Sequence, residues 1–178
     1  MKKTILILML SVVCTSAFSQ SFKLTPNGFV NAADTTKNYV VIDVPNKKQT
    51  DLYKSSLLYF SKLYVSPKEV MTLIENQSII LNGVEKQAVK MKVLYLNPSW
   101  DINHTSNYEF KDDKVKVNFN INKISTYTGD IFREKTMRDF FNKRGEVKDE
   151  KAIKSIEEYF NQGLKKYAES LTSQKSDW

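Results

Sequence analysis

The 178-residue sequence is poor in residues that staple, ligate and cradle: it has one cysteine, one histidine, five glycines and four prolines. The cysteine, Cys14, falls in an N-terminal apolar segment. Removal of that segment leaves a chain without cysteine, which excludes disulfides, a thiol nucleophile and thiolate metal sites. A zinc site takes three or four nitrogen, sulfur or oxygen ligands, and His104 has no second histidine or cysteine to join it. Gly83 and Gly145 stand isolated, so no phosphate-cradling loop is expected. There is no G-x-S-x-G elbow, and a Ser/His/Asp set would have to form around His104 without one. No internal repeat or low-complexity tract is present. Stability must come from packing, and a chain of this length buries about two-thirds of its unfolded surface, enough for one core.

One long apolar run exists, and it is N-terminal. Lys2 and Lys3 precede Ile5 to Val13, and Ala17-Phe18-Ser19 puts small residues at the two positions a signal peptidase inspects. This predicts a signal peptide over residues 1–19, cleaved before Gln20, and an exported chain of the periplasm or cell envelope. A membrane span needs roughly 20 apolar residues. The run breaks at Cys14-Thr15-Ser16, so no transmembrane span is expected in the mature protein. Lipoprotein processing at Cys14 is an alternative, although Ser11 and Val13 stand where a leucine-like and a small residue are favoured. The 27 Lys and Arg outnumber the 20 Asp and Glu, and the excess persists without Lys2 and Lys3. It is mostly lysine and dispersed. That suits solubility or loose attraction to an anionic envelope surface. Nucleic-acid binding wants a dense basic stripe.

Residues 20–38 read as a flexible lead-in, mixing Pro26, Asn27, Gly28 and Thr35-Thr36 without a sustained period. Tyr39-Val40-Val41-Ile42-Asp43-Val44 reads as a strand stopped by Pro45-Asn46. From about Gln49 to Val65, Tyr53, Leu57, Phe60 and Tyr64 recur at helical spacing, with Thr50 or Asp51 as cap. That aromatic stripe is the face such a helix turns to a core. Ser66-Pro67-Lys68-Glu69 fits a helix start or a turn, and the residues that follow favour the turn. Val70–Ile74 and Ser78–Leu81 flank Glu75-Asn76-Gln77 as a hairpin, and Asn82-Gly83 breaks its second strand. Val89–Leu96 is the next strand, and residues 97–104 form a polar loop. Tyr108–Lys111 and Lys114–Ile121 flank Asp112-Asp113 as the clearest hairpin. There Val115, Val117, Phe119 and Ile121 face one way, and Lys114, Lys116, Asn118 and Asn120 the other. One face is buried and one is wet, which makes the sheet antiparallel with a single covered side. A short helix is expected within Ile131–Asn142. A longer one starts at Asp149 and carries Ile153, Ile156, Phe160, Leu164, Tyr167 and Leu171 on its inner side.

These residues offer little chemistry. His104, three residues from Asp101, reads as an exposed loop histidine. Asp112-Asp113 is best explained as a hairpin turn, where Asp tolerates a left-handed conformation. Glu157-Glu158 reads as a solvated helix face. No catalytic residue, metal ligand, cofactor site or cofactor is assigned. The open sheet face with Lys114, Lys116, Asn118 and Asn120 is the candidate surface for a ligand or partner.

The order strand, helix, antiparallel strands, helix is a two-layer α+β arrangement with helices on one face. It resembles the exported Bacteroidetes proteins that carry a domain of unknown function with a TBP-like fold. Val41-Ile42-Asp43-Val44-Pro45, then Asp51-Leu52-Tyr53, then Ile79-Ile80-Leu81-Asn82-Gly83 carry the resemblance, with the hairpin through Tyr108 and Phe119. Gly83-Val84-Glu85 departs from the family's glycine-lysine-glycine continuation, and the Lys90–Tyr95 strand sits in a longer insert. The resemblance implies a TBP-like domain over residues 39–126, with residues 127–178 as a helical extension packed on it. The family has no established activity, so it supplies no functional residue. Asp34-Thr35-Thr36 resembles the short acceptor pattern for O-glycosylation in exported Bacteroidetes proteins, at Thr35. The fold name alone raises nucleic acid, which an exported chain does not meet, and fold analogy is a weak warrant for function. The expected function is a non-catalytic binding or interaction module of the bacterial cell envelope. Its partner would be an envelope protein, a glycan or a lipid. The alternative is a periplasmic hydrolase using carboxylates such as Asp101, Glu109 and Asp112, with two of them in one pocket.

Overall fold

Three long strands organise the chain: β5 (Ser78–Lys90), β6 (Ser99–Lys111) and β7 (Lys114–Thr128). The computed structural model describes residues 20–93 and 95–173. The predicted signal peptide, with Cys14, lies outside the described residues. The sheet is antiparallel throughout, in the order β3-β7-β6-β5-β4, with β3 at Val40–Asp43 and β4 at Met71–Ile74. A further strand, β8 (Ile131–Lys135), pairs with the far end of β7.

Two helices, α1 (Gln49–Leu63) and α3 (Glu150–Ser173), cover one face, and α2 (Pro67–Val70) is a single turn leading into β4. The arrangement is a two-layer α+β fold with helices on one side. The inner row of α3 is the expected one, Ile153, Ile156, Phe160, Leu164, Tyr167 and Leu171, all buried. Asp149 caps it, its Oδ1 accepting the Ala152 N–H at 3.0 Å. Helix α1 buries Leu52, Tyr53, Ser56 and Phe60. Its cap comes from elsewhere in the chain. Neither Thr50 nor Asp51 supplies it; Asp112, in the β6–β7 turn, accepts the Gln49 N–H at 2.8 Å. Asp113 beside it takes the left-handed conformation, φ 64°.

Several expectations are corrected. Residues 20–38 contain a β-hairpin, β1 (Phe22–Thr25) and β2 (Gly28–Asn31), seated on the core. Phe22 and Phe29 are buried against Phe119 and Phe160. Asn161 exchanges two hydrogen bonds with the Phe22 backbone, at 2.8 and 3.0 Å. Glu157 accepts the Leu24 N–H at 2.7 Å, so it is not a merely solvated residue. Asn82-Gly83 does not end a strand, because β5 runs on to Lys90. The expected strand at Val89–Leu96 is therefore only the end of β5. Residues 99–104 belong to β6 and not to a loop. The region 131–142 holds β8 and a 3-10 turn at Met137–Phe140 in place of a short helix.

Two irregularities set which side chains face the helices. Between Asn103 and His104 the β6–β7 register slips by one, leaving Asn122 extra in β7. The inward row of β7 accordingly switches from Val115, Val117 and Ile121 to Ile124 and Thr126. In β5 the register slips by two between Glu85 and Val89. Asp101 pins that bulge, accepting from the Gln87 N–H and the Lys86 ammonium, both at 2.8 Å. Bulges re-aim side chains, and here the inward row of β5 reaches Glu85 just before the break.

Candidate functional site

Between the two long helices and the sheet lies a cavity of about 220 Å³. Its floor is aromatic: Phe60 from α1, Tyr108 and Phe119 from β6 and β7, Phe160 and Tyr167 from α3. These rings pack in edge-on and tilted pairs, with Phe60 stacked on Tyr167 at 5.3 Å. Half-buried Tyr59, Tyr64 and Tyr159 stand higher on the walls, and Gly163 and Lys166 lie at the mouth. Gly163 sits in the interior of α3, and a Cβ there would meet nothing within 4 Å. A glycine costs a helix interior about 1 kcal/mol relative to alanine.

One wall carries a polar cluster. Glu85 Oε1 accepts from the Tyr64 hydroxyl at 3.1 Å, and Oε2 from the Tyr159 hydroxyl at 2.8 Å. His104 Nε2 lies 3.3 Å from the same Oε1, and its Nδ1 lies 2.8 Å from Ser106 Oγ. A carboxylate only accepts, so in the neutral ring Nε2 carries the hydrogen and Nδ1 accepts from Ser106. His104 also meets the Phe160 ring edge-on at 5.5 Å. Gly83 makes room for it: a Cβ at that position would stand 3.2 Å from Nε2. Glycine within a strand often marks such a close approach.

The hydrogen bond from His104 holds the Glu85 carboxyl below its usual value, with Tyr159 and Tyr64 adding to the effect against the cost of burial. Burial raises the Tyr64 and Tyr159 phenols, and the neighbouring Glu85 charge raises them further. The cavity thus presents an ionised carboxylate to rings whose hydroxyls stay protonated.

His104 is the site residue whose environment the sequence concealed most. It is 4% exposed and faces the helices, so the exposed-loop reading is overturned. The signal was present: Trp100, Ile102, Tyr108 and Phe110 share its parity and are all buried. Tyr64 was read only as part of a core-facing stripe and Glu85 only as a departure from the family's motif, and Tyr159 was not singled out. They come from distant parts of the chain and meet only in three dimensions.

The residues predicted for the open face do lie on the side away from the helices. Lys116 is paired with Glu109 at 3.1 Å and stands 4.9 Å over the Tyr39 ring. Asn120 donates to Asn122 at 3.0 Å. Lys114 is exposed beside the β6–β7 turn, and Asn118 stands opposite Asn107. Thr35 is exposed in a turn where Asp34 accepts from Thr36 and pairs with Lys37 at 2.8 Å. The carboxylates of the hydrolase alternative are scattered. Asp101 pins the β5 bulge, Glu109 pairs with Lys116, and Asp112 caps α1; none of them lines the cavity. Among the described residues no group of His, Cys, Asp and Glu is arranged to hold a metal ion. Nor is any helix among them long and apolar enough to cross a membrane.

An antiparallel sheet with both long helices on one face, strand-helix-strands-helix in order, defines the class: an α+β domain with a TBP-like fold. Residues 39–125 match the model of the family described as a domain of unknown function (DUF4468) with TBP-like fold. Two crystal structures share the architecture. A TBP-like protein from Parabacteroides distasonis aligns at TM-score 0.58 and 8% identity, over 77% of this chain and 92% of its own. A DUF4468 family protein from Bacteroides ovatus aligns at TM-score 0.50 and 11% identity, over 79% and 87%. At such identities the likeness is one of fold. None of the curated proteins matches the chain.

Proposed function

We propose that this protein is a binding module of the bacterial cell envelope that holds a small, largely apolar ligand in the cavity between α1, α3 and the sheet. The observation that carries the reading is the cavity itself: aromatic walls, one hydrogen-bonded carboxylate, and a helix glycine at its mouth. Ligand sites are typically apolar concavities with a few placed polar groups, of about 300–1,000 Å³ for drug-sized molecules. At 220 Å³ the cavity suits a fragment-sized molecule or one end of a longer chain.

Export is supported by the sequence of residues 1–19, and the periplasm or cell envelope follows as the proposed site of action. In the fold, Gln20 would then be the first mature residue, and its Oε1 accepts the Val41 N–H at 2.7 Å on strand β3.

A serine-hydrolase reading of Ser106, His104 and Glu85 gains no support from the geometry. Ser106 is buried, and the strand that carries it is hydrogen-bonded on both sides, to β5 and β7. That leaves no pair of free backbone N–H groups aimed at a developing oxyanion.

The test is ligand-observed NMR with a set of small aromatic and aliphatic fragments, on wild type and Gly163→Leu. Binding by wild type that the leucine abolishes supports the cavity as the site. Equal binding by both proteins places the ligand elsewhere, and failure of wild type to bind any fragment, neutral or charged, removes the reading.

A further inference from the structure

Resting on the cavity reading, we infer the ligand class: the cavity takes a small organic cation of the alkylated-ammonium type, with Glu85 as counter-charge and the surrounding rings as its walls. Three features converge on this. First, Glu85 is the carboxylate on the cavity wall, and the groups that touch it are the hydroxyls of Tyr64 and Tyr159 and the imidazole of His104. No lysine or arginine among the described residues is paired with it. Three donors on a carboxylate that offers about four acceptor positions leave part of its charge for a ligand.

Second, the walls are rings. A sphere of the cavity's 220 Å³ is roughly 7–8 Å across, so a cation at its centre falls within the ~6 Å reach over which an aromatic face attracts a positive charge. Tyr59, Tyr64, Tyr159, Phe119 and Phe160 all border that space. The neighbours of the carboxylate also select the kind of cation. A hard metal ion demands six or more oxygen ligands, whereas here one carboxylate stands among protonated phenols and hydrocarbon. A weakly hydrated organic cation loses little on leaving water and gains the rings.

Third, the opposing charges are occupied or screened. Lys86 is pinned to Asp101 at 2.8 Å. Lys166 is exposed at the mouth, where solvent screens it. The chain's net charge of +7 is spread over its surface and is screened beyond roughly 10 Å at ordinary salt. Over these distances the local carboxylate outweighs it.

The test compares choline with its uncharged isostere, in which a quaternary carbon replaces the nitrogen, by chemical-shift titration of the wild-type protein. Shape and apolar area are matched, so the difference reads the charge. Choline is expected to bind about tenfold more tightly, from the rings and the Glu85 carboxylate together, and Glu85→Gln is expected to narrow that preference to the part the rings supply. Equal or tighter binding of the isostere in the wild type overturns the cation assignment and leaves the cavity reading standing. Failure of choline, its isostere and the neutral fragments alike overturns both. The wild-type comparison needs no variant, so a folding defect in Glu85→Gln cannot obscure it. Tyr159→Phe keeps the ring and frees one Glu85 oxygen, and is expected to hold or strengthen choline binding; a tenfold loss there refutes the placement of the cation beside Glu85.

Discussion

Replacing Gly163 by alanine tests whether the open mouth is maintained at the expense of stability. The residue lies well inside the 24-residue helix α3, away from both ends. Its φ is in the ordinary range, and a Cβ would touch nothing within 4 Å. Neither strain nor a clash opposes the substitution. The remaining contribution is helix propensity, about 0.8–1.0 kcal/mol in favour of alanine in a helix interior. The variant is therefore expected to unfold at higher denaturant with an unchanged slope. A chain of this size gains about 2–4 °C in melting temperature per kcal/mol. Urea denaturation followed by circular dichroism gives the number. A neutral or lowered stability refutes the reasoning, because it means the glycine is needed for packing or for a bend in the helix. A gain near 1 kcal/mol shows that the natural sequence forgoes easily available stability at a position bordering the cavity.

The remaining predictions address the cluster, the hairpin and the helix contact. Glu85 is ionised more readily in the fold than in the unfolded chain, so it stabilises the protein above its usual value of 4.5 and that contribution disappears as pH falls through its lowered folded value. Thermal melts from neutral pH down to the acid range should show this loss, and Glu85→Gln should flatten that part of the profile. Phe29→Ala is expected to cost about 3–5 kcal/mol, as for a large core aromatic, since Phe29 is buried against Phe22 and Phe160; a surface-like effect in denaturant titration would refute the seating of the hairpin. Ser56 Oγ donates to the Leu52 carbonyl at 2.7 Å and so accepts from the Tyr167 hydroxyl at 2.6 Å, linking α1 to α3. Ser56→Ala orphans that buried hydroxyl and should cost about 1–3 kcal/mol, measured the same way.

The sequence alone determined the fold class and most of the core. Hydrophobic periodicity is a local property, and where it ran unbroken it sufficed: Val115 and Val117 in β7, the row from Ile153 to Leu171 in α3, and the stripe of α1 all face inward. Asp149 as cap and Asp112-Asp113 as turn followed from local backbone chemistry. Local reading failed where polar or small residues occupied inward positions. His104 and Ser106 interrupt the apolar row of β6, and Gly83 interrupts that of β5. His104 looked like part of a loop and Gly83 like a break, although in β6 the parity of Trp100, Ile102, Tyr108 and Phe110 runs straight through. The hairpin at Phe22–Asn31 has strands of four residues, too short for a periodic signal, and it is held by Asn161 and Glu157 from the far end of the chain. The cavity was beyond sequence altogether. Tyr64, His104 and Tyr159 lie 21, 19 and 74 residues from Glu85 along the chain, and only the β5 bulge, the small side of Gly83 and the packing of two helices on one sheet face bring their polar atoms within hydrogen-bonding distance. A composition rich in aromatics shows that rings will be buried. Where they leave a gap, and what charge faces it, is decided by long-range packing.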